Sequence, residues 1–100
     1  MAKPTRREAV QSAVIRQLRE ERERQGLTQY QVAPRTGLSA STLSLIEREL
    51  RNPTLDTLLR ITEVLEVELG EILLRAEAEV GGKEKAESSG KVLVTNRAKR

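Results

Sequence analysis

Leu27-Thr-Gln-Tyr-Gln-Val-Ala-Pro-Arg-Thr-Gly-Leu-Ser-Ala-Ser-Thr-Leu-Ser-Leu-Ile-Glu-Arg48 holds two short helical patterns joined by a tight turn at Gly37. Thr28 is placed to cap the first pattern, because its hydroxyl can accept from an unpaired amide of the opening turn. Val32 and Ala33 then share one face. Gly37 has no Cβ to clash at positive φ, so it can stop the first helix and turn the chain. Ser39 caps the second pattern, whose inward residues are Leu43 and Ile46 at i, i+3 spacing. Its other face carries Ala40, Ser41, Ser44 and Arg48, all small or basic. Such a face suits a helix that must approach another surface closely.

Outward from this stretch the elements keep a recognisable spacing. Leu18-x3-Arg22-x3-Gly26-Leu27-Thr28-Gln29 leads into Val32-Ala33-x3-Gly37-Leu38-Ser39 and Ser41-Thr42-Leu43-Ser44-x-Ile46-Glu47-Arg48. Asn52-Pro53-Thr54-Leu55-Asp56-Thr57-Leu58 and Leu65-x-Val67 follow. From about Val14 to Leu74, in register and without gaps, the chain resembles the lambda-repressor/Cro-type helix-turn-helix family, also called the XRE family. The resemblance implies an all-α, five-helix domain. It departs from the family pattern at Glu21 and Thr36, where apolar residues are usual, and at Glu49, where glycine is usual.

The resemblance also implies a function and assigns roles. The second pattern becomes a recognition helix for the DNA major groove, which is wide enough to admit one α-helix. Gln29 fixes the phosphate backbone; Ala40, Ser41 and Ser44 face base edges; Thr42 lies toward a phosphate. Ala40, where glutamine or arginine often stands, and Leu45 are candidates to touch a thymine methyl. Arg48, Arg51 and Asn52 are candidates for backbone or adjacent base contact. Arg22 is implied to pair with Glu47, tying the first helix to the recognition helix. Relatives dimerise, so a homodimer on a palindromic operator, acting as a repressor, is the expectation. The alternative is an antitoxin or anti-regulator whose fifth helix or tail binds a protein partner.

Composition narrows the other classes. The chain has 100 residues, no cysteine, no histidine and one aromatic residue, Tyr30. Its core must therefore be aliphatic, and thiolate or imidazole metal sites are ruled out. No nucleophile–base constellation is visible, so no catalytic site, enzyme activity or cofactor is called for. No apolar run reaches membrane-spanning length and no signal core opens the chain, which makes a cytoplasmic location the default. The net charge of +3 is unevenly spread. Residues 1–30 hold seven bases against four acids, whereas residues 61–80 hold one base against six acids. A basic first half points toward nucleic acid and the acidic segment points away from it.

Residues 1–7, with Pro4, Lys3, Arg6 and Arg7, read as a mobile basic arm ahead of a domain over 8–80. The first helix is expected from Arg6 or Glu8 to Gln25, with Val10, Ala13, Val14, Ile15 and Leu18 inward. Pro34 is expected to distort or shorten the second helix, since interior proline costs roughly 3 kcal/mol. Without glycine at Glu49, the third helix is expected to extend to Arg48 or Leu50 or to end differently. The fourth, Leu55–Leu65, is expected to bury Leu55, Leu58, Leu59, Thr62 and Leu65. The fifth, from Leu69 to about Val80, turns Leu69, Ile72, Leu73 and Ala76 inward and leaves Leu74 and Val80 for a partner. Residues 81–100 read as a flexible tail, with a short strand at 91–95 as the alternative state.

Overall fold

The computed structural model describes residues 2–92, with side chains through residue 81. Five α-helices follow in order: α1 (Arg6–Arg24), α2 (Gln29–Thr36), α3 (Ala40–Glu47), α4 (Leu55–Leu65) and α5 (Leu69–Val92). α1 packs chiefly along α5, while α2 packs against α3 and α4. Between them lies one aliphatic cluster built from Val14, Leu18, Val32, Ala33, Leu43, Ile61, Leu65, Ile72 and Ala76. Val32, Leu43, Leu65 and Ile72 are the largest side chains that are fully buried.

Each of the first four helices has a hydroxyl cap at its start. Thr5, Thr28, Ser39 and Thr54 accept from Glu8, Gln31, Thr42 and Thr57 amides respectively. Thr5 and Glu8 form a full capping box, as do Thr28 and Gln31. The box at Thr5 explains why Arg6 and Arg7 belong to α1 instead of to an arm. The T-x-x-E signature was present in the sequence.

The same four helices end alike. At Gly26, Gly37, Glu49 and Glu66 the chain takes positive φ of 73°, 84°, 62° and 59°. In each case the next residue's amide bonds back to the carbonyl five before it: Leu27 to Arg22, Leu38 to Ala33, Leu50 to Leu45 and Val67 to Thr62. These are Schellman endings, which satisfy carbonyls the helix leaves open. α3 therefore stops at Glu47, and Glu49 adopts the left-handed conformation although it is not glycine. Its carboxylate accepts from the Ser12 hydroxyl on α1, a tertiary bond that helps offset the strain.

Pro34 does not break α2, which is α-helical through Thr36. The proline deletes one amide, whose partner would be the Tyr30 carbonyl. Both residues lie at the surface, where water can satisfy that carbonyl. The helix is held at both ends by its capping box and its Schellman turn, and Pro34 contributes its own carbonyl to Gly37. Thr36 is buried yet satisfied, donating to Ala33 O at 2.7 Å and accepting from Leu38 N at 3.2 Å. Glu21 is likewise accounted for: it accepts from Arg24 and from Gln25, whose Nε2 also donates to Leu65 O at 2.7 Å.

Four burial expectations, for Leu55, Leu59, Leu73 and Val80, are corrected. On α4, Leu55 and Leu59 are 64% and 47% exposed, and Ile61 takes the core place. On α5, Leu73 is exposed, and Val80 packs against the core while Leu74 is open. α5 also continues past Val80 to Val92, through residues expected to form a tail. Extending a formed helix needs no new nucleus, and the alanine, lysine and glutamate residues beyond Gly82 are good helix formers. Most of the strand alternative at 91–95 lies outside the described residues.

Candidate nucleic-acid interface

α2 and α3 are joined through Gly37, Leu38 and Ser39, and both ends of this turn are fixed. From α4, Arg60 donates Nη1 to Thr36 O at 3.1 Å and Nε to Asp56 at 2.8 Å. A cation thus sits at the negative end of α2. A Cβ on Gly37 would come within 2.9 Å of Arg60 Nη1, so the guanidinium lies directly over the turn. On the other side Ser39 accepts from Thr42 N and donates to Thr42 Oγ1, both at 3.0 Å. Thr42 is therefore committed, in part, to starting α3.

α3 divides cleanly. Leu43, Ile46 and Glu47 are buried, while Ser41 is exposed and Ala40, Ser44 and Leu45 are half-buried. Neither Ser41 nor Ser44 makes a side-chain hydrogen bond among the described residues. Past the helix, Arg48, Arg51 and Asn52 are exposed. None of the three has a side-chain partner among the described residues, whereas Arg16, Arg22, Arg24 and Arg60 are all ion-paired. Unpaired donors thus lie on and just beyond the exposed side of α3, although Arg7, Arg35 and Arg75 elsewhere are likewise exposed and without a partner among the described residues.

Behind that face sits a charged network. Arg22 donates Nε to Glu47 Oε2 and Nη2 to Glu47 Oε1, both at 2.8 Å, and Nη1 to Leu27 O at 2.7 Å. The Arg22 pKa is raised above its ordinary value, first by the hydrogen bond to Glu47 and then by its charge, against the lowering effect of burial. Gln29 Nε2 donates to the same Glu47 Oε1 at 2.8 Å. Arg19 Nη1 approaches Glu47 O at 3.5 Å. The Gln29 and Arg19 contacts were not foreseen: both join residues far apart in sequence, and no local spacing signals them.

Two capped helices about a three-residue turn, held by α1 and α4, define a small helical domain with an exposed second helix. A model of the helix-turn-helix family matches residues 18–72, more than half of the chain. The chain belongs to that family, in its Cro/C1-type XRE branch. No curated protein and no solved structure matches it. The family is one of DNA-binding transcription regulators, and this is the coarse function of the chain. Among the described residues, no helix is long and apolar enough to cross a membrane.

Proposed function

We propose that the protein is a dimeric repressor that reads a palindromic operator with α3. The observation that carries this reading is the unpaired row on and after that helix. Ser41 and Ser44 offer hydroxyls to base edges, with Ala40 and Leu45 beside them for apolar contact. Arg48, Arg51 and Asn52 offer donors to phosphates or an adjacent base, and Gln29 and Thr42 contact the backbone. With so few long side chains on α3, part of the specificity comes from DNA shape.

Support for a dimer comes from apolar surface left open on α4 and α5. Leu55 and Leu59, one turn apart on α4, are exposed, and Leu58 and Leu73 line a cleft of about 280 Å³. A second copy would cover these leucines and set two recognition helices about one DNA turn apart. A partner-binding antitoxin is the second reading, favoured by Leu74, which is 69% exposed on α5.

Titration of the purified protein against its own promoter region, at several salt concentrations, tests the proposal. Affinity should fall with a log–log slope near −0.9 per phosphate neutralised, with two chains per site. Salt-independent binding, or none at low salt, would overturn it.

A further inference from the structure

We infer that Glu47 is a positioning residue, holding the Gln29 amide in the orientation a phosphate contact requires. The inference rests on the DNA-binding reading above, in which Gln29 meets the duplex backbone. Glu47 Oε1 accepts from both Gln29 Nε2 and Arg22 Nη2 at 2.8 Å, and Oε2 accepts from Arg22 Nε. An ionised carboxylate only accepts, so it dictates that the nitrogen of the Gln29 amide, not its oxygen, faces inward. One amide hydrogen is used in this bond. The other points away from the carboxylate and is the donor left for an anion.

The arrangement has two consequences. A free glutamine side chain would lose rotamer freedom when DNA bound, whereas Gln29 is ordered beforehand. Arg22 meanwhile neutralises Glu47, whose side chain is 7% exposed near the end of α3. Without that pairing the carboxylate would repel a nearby phosphate. Arg22 from α1 and Gln29 from α2 thus converge on the Glu47 carboxylate of α3.

The test is a double-variant cycle on the full chain, with a duplex of scrambled sequence at low salt as the probe. Phosphate contacts carry no sequence information, so no operator is needed. Gln29→Ala should weaken binding about tenfold, the effect of one hydrogen bond to a charged group. Glu47→Gln, measured below its melting temperature, should lose a similar factor, and the double variant no more than the weaker single one. Charge alone predicts the opposite sign for Glu47→Gln, because a negative group is removed beside the DNA face. Unchanged or tighter binding by Glu47→Gln, or losses that multiply in the double variant, overturns the positioning role while leaving DNA binding intact. Failure of the wild type to bind any duplex defeats the DNA-binding reading itself, and this inference with it. If Glu47→Gln does not fold, the wild-type side-chain amide of Gln29 decides by NMR. A displaced, slowly exchanging proton relative to the exposed Gln11 supports the inference, and resonances like those of Gln11 overturn it.

Discussion

Arg22 and Glu47 meet through two hydrogen bonds of 2.8 Å, with side chains only 11% and 7% exposed. The same guanidinium reaches the Leu27 carbonyl, so one residue joins α1, the α1–α2 turn and α3. Fork-to-carboxylate geometry of this kind is directional as well as charge-assisted. It ties α1 and the α1–α2 turn to the last residue of α3.

Arg22→Ala is therefore expected to destabilise the fold far more than Arg24→Ala. Truncating Arg22 leaves Glu47 buried without its cation, a loss of about 3–5 kcal/mol. Arg24 is also paired, with Glu21, but its side chain is 63% exposed, which limits the loss to about 0–1 kcal/mol. Thermal melts of the two variants decide the matter, and equal midpoints would refute the ranking.

Glu66 and Glu49 predict gains. Both hold left-handed backbone that costs a residue with a Cβ about 1–2 kcal/mol. Glycine removes that strain but loses more freedom on folding, so Glu66→Gly should stabilise by about 0.5–1 kcal/mol. That corresponds to a rise of a few degrees in melting temperature. Glu49→Gly should gain less, because it also deletes the acceptor for Ser12. In a Ser12→Ala background the two glycine substitutions should converge; a persistent gap would show that the Ser12 contact is not what separates them.

Gly37 and Gly26 offer the converse. Alanine at either suffers the same positive-φ strain, about 1–2 kcal/mol. At Gly26 the new methyl meets nothing within 4 Å, whereas at Gly37 it meets Arg60 Nη1 at 2.9 Å. Gly37→Ala should be the worse of the two, by the modest amount needed to displace a flexible guanidinium. Repeating both in an Arg60→Ala background should erase the difference, measured by denaturant midpoint.

Much of this architecture was legible because its signals are local. Thr28, Gly37 and Ser39 mark α2, the turn and α3 through caps and a positive-φ glycine, all within one or two helical turns. Helical spacing places Leu55 and Leu59 on an apolar stripe without saying what covers it, and they are exposed. The left-handed Glu49 goes against the preference for glycine at such a position: the Schellman bonds of α3 close on a residue with a Cβ, and the Ser12 contact that helps offset the strain comes from another helix. Pro34 leaves α2 intact because propensity describes an isolated helix, whereas α2 is fastened at both ends. At the candidate interface, Gln29 was singled out from the sequence, but its bond to Glu47 joins positions that only the fold brings together.

The final prediction separates reading bases from gripping the backbone. Ser41 is exposed, Ser44 half-exposed, and both hydroxyls are unpaired among the described residues, so a bulky replacement changes what α3 presents while leaving the core untouched. Arg51 lies beyond α3, exposed and without a carboxylate partner among the described residues, placed to meet a phosphate. Ser41→Gln or Ser44→Gln should then shift operator preference with little effect on binding to scrambled duplex. Arg51→Ala should weaken binding to every sequence and reduce the magnitude of the salt slope by about one unit. The turn that carries Arg51 follows the strained Glu49, so its direction is set by the Schellman ending of α3. Glu49→Gly keeps that ending and should leave the Arg51 contribution intact. Titrations of each variant against operator and scrambled duplex, over a range of salt, give both quantities. A changed sequence preference with an unchanged salt slope for Arg51→Ala would show that Arg51 reads a base and that the division of labour is wrong.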